Sequence, residues 1–145
     1  MMDENLKRTI LMDHYAHPRN KGLIDDDSYL KVHMASDSCI DDIEVQVKVV
    51  DDIVEDVRFD GVGCTISFAS TSIFSELLQG KTTSKALALI DEYYKMLDEK
   101  EYNADELEEA NAFDTLYKQA NRIKCGTIGI KGIEQLIKAS IKDEK

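Results

Sequence analysis

Cysteine, proline and positive charge are all scarce in this 145-residue sequence, which has three cysteines, one proline and no tryptophan. An odd number of cysteines cannot pair off completely into disulfides. The first residues, Met1-Met2-Asp3-Glu4-Asn5, are polar and acidic, with no apolar export signal. Together these features predict a reduced, unsecreted, cytoplasmic protein. No apolar run approaches the roughly 18 residues that a membrane-spanning helix requires. Basic residues number 18 against 29 acidic ones, for a formal net charge of -11, and they are scattered rather than grouped in a block. Nucleic-acid backbones and anionic lipid are therefore excluded as natural partners. With no repeat and no linker, the length suits one domain, residues 1–145, able to close a core without disulfides or a folding metal.

What is present reads as helix, then sheet, then helices. Leu6, Ile10 and Met12 to Tyr15 recur at helical spacing, and Pro18 with Asn20-Lys21-Gly22 ends that helix in a turn. His14 and His17 near its end are candidate ligands. The competing explanation is that they are solvated partners of the helix dipole. After the acidic turn Asp25-Asp26-Asp27-Ser28, Tyr29 to Met34 alternates as a first strand, with His33 on it. Ile43, Val45, Val47 and Val49 fall on one face of a second strand, opposite Asp42, Glu44, Gln46 and Lys48. Beyond Asp51-Asp52, Val54 to Phe59 returns as a third. The reading is α+β: a three-stranded antiparallel meander, one face wet and the other covered by about five helices.

All but the first of those helices follow residue 64. One runs from Thr65 to Gln79 and stops at Gly80, and Thr83 or Ser84 caps the next, whose apolar face is Ala86, Leu89, Ile90, Tyr93 and Leu97. Acidic Asp98 to Asn111 reads as a solvated excursion before a short helix around Phe113 to Tyr117. The last helix is expected to begin near Cys125. Gly126, Gly129 and Gly132 repeat every third residue along it, which suggests another backbone packed closely against that face.

The chemistry rests on three junctions. Asp60-Gly61-Val62-Gly63-Cys64-Thr65-Ile66-Ser67 places a thiol where strand gives way to helix, so helix-start amides and the dipole would favour its thiolate. Cys39 precedes a strand, and Cys125 is expected at a helix start. Two chain reversals bring Cys39 near Cys64, and Asp41 can turn a carboxylate toward the same point. Three sulfurs and one oxygen suit tetrahedral zinc, although without a C-x-x-C pair three unrelated buried cysteines remain the alternative. Three thiolates and a carboxylate around Zn²⁺ leave a net of -2, which Arg122 and Lys124, just before Cys125, could offset. Cys39, in the polar loop Ala35 to Asp42, is the least constrained ligand and the one expected to move.

Four ordered motifs then carry a family resemblance. They are Met12-Asp13-His14-Tyr15 with Pro18-Arg19-Asn20-Lys21-Gly22; Cys39-Ile40-Asp41; Gly61-Val62-Gly63-Cys64-Thr65-Ile66-Ser67; and Arg122-Ile123-Lys124-Cys125. They resemble the IscU/NifU-like iron-sulfur cluster assembly family. The long segment between Cys64 and Cys125, and Lys124 where scaffold members carry histidine, are closer to its SufU-type branch. Ile40 stands where the family has glycine. The resemblance implies a zinc-dependent sulfurtransferase in which Cys39 takes persulfide sulfur from a pyridoxal-phosphate-dependent cysteine desulfurase of SufS type, and Cys64, Cys125 and Asp41 hold the metal. It also implies downstream iron-sulfur assembly proteins as partners, with the first helix and its turn to Gly22 as a docking element. Two alternatives stay open: a scaffold carrying an iron-sulfur cluster on the same ligands, and a small domain with a purely structural zinc.

Overall fold

The computed structural model describes residues 2–35 and 40–143. Helix α1 (Glu4–Ala16) starts at Asp3, whose carboxylate accepts the Leu6 amide hydrogen at 2.8 Å. Three strands follow, β1 (Leu30–Ala35), β2 (Asp42–Val50) and β3 (Ile53–Val62), antiparallel and paired in sequence order. Their register sets Ala35 opposite Asp42 and Asp42 opposite Val62, so the end of β1, the start of β2 and the end of β3 share one end of the sheet. Four helices complete the α+β fold: α2 (Thr65–Leu78), α3 (Thr83–Leu97), α4 (Ala104–Leu107) and α5 (Ala120–Asp143). Ile43, Val45 and Val47 of β2 and Val54, Val57 and Phe59 of β3 are fully buried, with α5 packed on β1 and β2 and α2 on β3.

The outer face of the sheet is drier than alternation alone implies. Gln46 is 1% exposed, its amide exchanging two 2.7 Å hydrogen bonds with the backbone N–H and C=O of Ile24. The edge of β3 is sealed as well. Phe59 pairs with Asn20 and Gly22, and Val54 with Gly80 and Lys81, leaving few free backbone groups for strand addition.

Helix α2 is buried nearly all round, although one face is a row of small polar residues. Ser67, Ser70, Thr71, Ser72 and Ser75 are all inaccessible. Ser70 and Thr71 donate to the Ser67 carbonyl and Ser75 to the Ser72 carbonyl, while Ser67 is bonded to Asp41 and Ser72 to His14, so all five hydroxyls have partners and can enter the core.

Several expectations are corrected. Thr82, not Thr83 or Ser84, caps α3, its side chain accepting the Lys85 amide hydrogen. The acidic stretch 98–111 is not simply solvated. It contains α4 and most of a 3-10 helix, Glu108–Phe113, and a second such turn follows at Leu116–Lys118. Leu107, Ala110, Phe113 and Leu116 are buried at a spacing of three, the period of a 3-10 helix, which a search at 3.6 passes over. His14 is not solvated: it is 0% exposed, with Nδ1 2.7 Å from Ser72 Oγ and Nε2 3.1 Å from Glu109 Oε1. Helix α5 starts at Ala120, which puts Cys125 in its second turn instead of at its start. The residue before that start, Gln119, is not a preferred capping type, and Asn121, which is, lies inside the helix.

The α5 glycines accommodate side chains rather than another backbone. Gly126 lies against Leu116 and Tyr93, Gly129 against Thr71 of α2, and Gly132 against Met34, Val45 and Val32 of the sheet. A methyl at Gly129 would overlap Thr71, whose Cγ2 would lie 2.8 Å away. Gly129→Ala should therefore lower the unfolding free energy by about 1–3 kcal/mol through overpacking, despite alanine's better helix propensity. Urea denaturation should show that loss, and shortening Thr71 to Ala in the same chain should recover only part of it relative to Thr71→Ala alone, because the Cβ of residue 71 stays 2.9 Å from the new methyl.

Candidate metal centre

The site forms where β3 turns into α2. Gly61 has φ +135, and a Cβ there would collide with the Asp42 carbonyl across the sheet. A Cβ at Gly63 would strike the Ser67 hydroxyl and the Phe68 ring. The two glycines thus let the strand end lie against β2 and let the chain enter α2 without a detour. Cys64 becomes the N-cap residue, in extended conformation.

Asp41, just before β2, is 2% exposed. Its Oδ1 accepts the Cys64 amide hydrogen at 3.1 Å and the Ser67 hydroxyl hydrogen at 2.9 Å. The helix-start amide expected to stabilise the Cys64 thiolate is therefore directed at the neighbouring carboxylate. Ser67 escaped notice in the sequence. Its signal was its position, the third residue of a helix start, where a side chain reaches back toward the cap.

Cys125 reaches the same place from α5 and is 2% exposed. The sulfurs of Cys64 and Cys125 and a carboxylate oxygen of Asp41 all lie within 4.8 Å of one another, a span that one cation can bridge. Two thiols and a carboxylate form a donor set for a thiophilic divalent ion. With no cation between them, burial, then the adjacent Cys64 thiol and the Asp41 charge, push the Cys125 thiol well above its ordinary pKa. Arg122, one turn earlier on α5, opposes this by hydrogen bonding. The expected stabilisation of a Cys125 thiolate at a helix start is accordingly overturned, because in the second turn the backbone amides are directed into the helix.

The sequence candidates thus separate. Asp41, Cys64 and Cys125 come together, and Arg122 is beside the Cys125 thiol while remaining largely exposed; Lys124 is exposed. Cys39 lies outside the described residues. Ile40 and Val62, 67% and 60% exposed, border the site with apolar surface. His14 belongs to a different cluster, and among the described residues no helix is long and apolar enough to cross a membrane.

Comparison with known proteins identifies the family. Residues 6–126 match the family described as the NifU-like N terminal domain. The zinc-dependent sulfurtransferase SufU of Bacillus subtilis is 38% identical over 133 residues, 91% of this chain and 89% of that protein. The iron-sulfur cluster assembly scaffold protein IscU of Streptococcus pyogenes serotype M1 is 35% identical over 137 residues, covering 94% and 85%. A crystal structure of a hypothetical protein superposes with a TM-score of 0.85 at 34% identity, over 94% of this chain and 99% of that one. With a match that extends from the first helix to the turn of α5 bearing Cys125, the chain belongs to the NifU-like N-terminal domain family.

Proposed function

We propose that this chain serves iron-sulfur cluster assembly as a zinc-dependent sulfurtransferase, accepting persulfide sulfur from a pyridoxal-phosphate-dependent cysteine desulfurase of SufS type. The observation that carries this reading is the approach of buried Asp41 and Cys125 to half-buried Cys64. Likeness to the SufU of Bacillus subtilis supports it. In this reading residues 1–145 act as one cytoplasmic unit, these three residues and Cys39 hold zinc, and Arg122 and Lys124 offset the surplus negative charge. Bound zinc would keep the thiols as thiolates at neutral pH.

The protein's own groups divide the remaining work. Asp41 is oriented by the Cys64 amide and the Ser67 hydroxyl, and Cys125 is enclosed by α5 and its neighbours. Acceptance of sulfur falls to Cys39. Its thiolate attacks the terminal sulfur of the desulfurase persulfide, a new S–S bond forms as the old one breaks, and the desulfurase cysteine departs as thiolate. No external oxidant or reductant is consumed. Downstream iron-sulfur assembly proteins then receive the sulfur.

A second reading, a scaffold holding an iron-sulfur cluster on the same donors, is favoured by the likeness to the Streptococcus pyogenes IscU. Elemental analysis of protein purified from cytoplasm separates the two: about one zinc per chain is expected, whereas iron with acid-labile sulfide and little zinc would establish the scaffold.

The raised pKa of Cys125 sets a pH dependence. Folding without metal favours its protonated form, so that contribution to stability is present below the ordinary value of 9.0 and fades as pH rises from there toward the folded pKa. Zinc must displace that proton, so zinc affinity falls as pH falls. Calorimetry near pH 7.5 in buffers of different ionisation enthalpy should show about one or more protons released per zinc; none would remove Cys125 from the ligand set. For the acceptor, alkylation and mass spectrometry after incubation with desulfurase and cysteine should find one additional sulfur on Cys39. Cys39→Ser should abolish that uptake while partial zinc binding persists, and additional sulfur on Cys64 or Cys125 would refute the assignment.

A further inference from the structure

A second cluster of donors lies well away from the cysteines. His14 on α1, Glu76 on α2 and Glu109 in the 3-10 helix present one nitrogen and two carboxylate oxygens that all lie within 4.8 Å of one another. Glu76 is twelve residues beyond Cys64, about 18 Å along α2 at 1.5 Å per residue. The two clusters therefore share no ligand and no opening. Beside the second is a cleft of about 240 Å³ whose lining includes Glu76, Glu108 and Glu109.

We propose that His14, Glu76 and Glu109 form a site for a divalent cation that prefers nitrogen and oxygen ligands. The imidazole is the fixed member, fully buried and held by Ser72 Oγ at 2.7 Å from Nδ1. Ser72 Oγ also accepts the Arg19 backbone N–H at 2.8 Å, so its position does not depend on the histidine. Nε2 is 3.1 Å from Glu109 Oε1 and Nδ1 is 2.7 Å from Ser72 Oγ, so both ring nitrogens have a partner without a cation. With a cation, Nδ1–H donates to Ser72, and Nε2 offers its lone pair toward the carboxylates. Histidine ligands are commonly fixed in this way by a hydrogen bond at the second nitrogen.

Charge also calls for a cation. A strut joining α1 to the 3-10 helix needs only Glu109, yet Glu76 is brought into the same small space, where two carboxylates repel. Two positive groups are near Glu76: Arg19, with Nε 4.0 Å from Oε2 and its guanidinium engaged by Asp13 at 2.7 Å, and Lys81, which lines the same cleft. A dication among the three donors neutralises the pair more completely. One imidazole with two carboxylates suits manganese, iron(II) or zinc, whereas the thiols of the first site select softer ions.

Manganese is the probe, because thiolate sites bind it poorly and its free form is counted by electron paramagnetic resonance. The full chain, with its cysteine site loaded with zinc, should bind about one further Mn²⁺, and pulsed spectra should show coupling to one imidazole nitrogen. Glu76→Gln and Glu109→Gln, both at accessible side chains, should each raise the manganese Kd at least about tenfold. Absence of manganese binding at millimolar concentration, binding without nitrogen coupling, or binding by either glutamine variant as tight as that of the unmodified chain would overturn the proposal.

Discussion

A buried carboxylate has to be met by donors, and the arrangement of this molecule around Asp41 follows from that requirement. The group is at the start of β2 and nearly inaccessible, yet two of its partners, the Cys64 amide and the Ser67 hydroxyl, belong to α2. Leaving such a group unsatisfied would cost about 1–3 kcal/mol, and more while it is charged. The N-terminus of α2 is therefore drawn against the end of the sheet, and the glycines at 61 and 63 remove the side chains that would prevent it. Both neighbouring sulfurs inherit their positions from this contact. Cys64 is carried by the helix start itself, and Cys125 by α5, which packs along α2.

Helix α2 organises more than the metal centre. Its small hydroxyl residues occupy space that bulkier side chains would fill, and each face of the helix meets a different neighbour. Thr71 meets α5 at Gly129, Ser72 meets His14 of α1 and the Arg19 amide, and Ser75 meets Asn20. The Met12–Tyr15 and Pro18–Gly22 motifs are thus bound to the back of the helix whose front carries Cys64. A row that looks like a solvated face in one dimension is in fact a three-way seam.

That seam marks where the sequence was readable and where it was not. The three strands and their meander followed from the alternation of Ile43 to Val49 and the short turn at Asp51-Asp52, because a face-by-face pattern is a direct record of burial. The junction at Cys64 was equally plain, since two glycines and a change of period coincide there. Hidden instead were contacts made by atypical chemistry: Gln46 buried by bonding the Ile24 backbone, His14 buried by Ser72 and Glu109, and apolar residues 107 to 116 repeating at three amid acidic neighbours. The start of α5 is not legible because Gln119, just before it, is not a preferred capping type and the one that is, Asn121, lies inside the helix. Misplacing it displaced Cys125 by more than one helical turn, and with it the electrostatic argument about its thiol, although its approach to Asp41 and Cys64 had been anticipated.

The order in which the donors occur along the chain has a consequence for synthesis. Asp41 and Cys64 are joined through the sheet and the start of α2, elements that are close in sequence and quick to find one another. Cys125 arrives only after α3, α4 and the 3-10 turns have been made, and it is brought into place by a long helix packing across α2 and the sheet. A nascent chain therefore presents Asp41 and Cys64 without Cys125 for much of its emergence. If zinc is held as proposed, its capture by the full donor set waits until α5 docks, which would couple acquisition of the ion to completion of the fold.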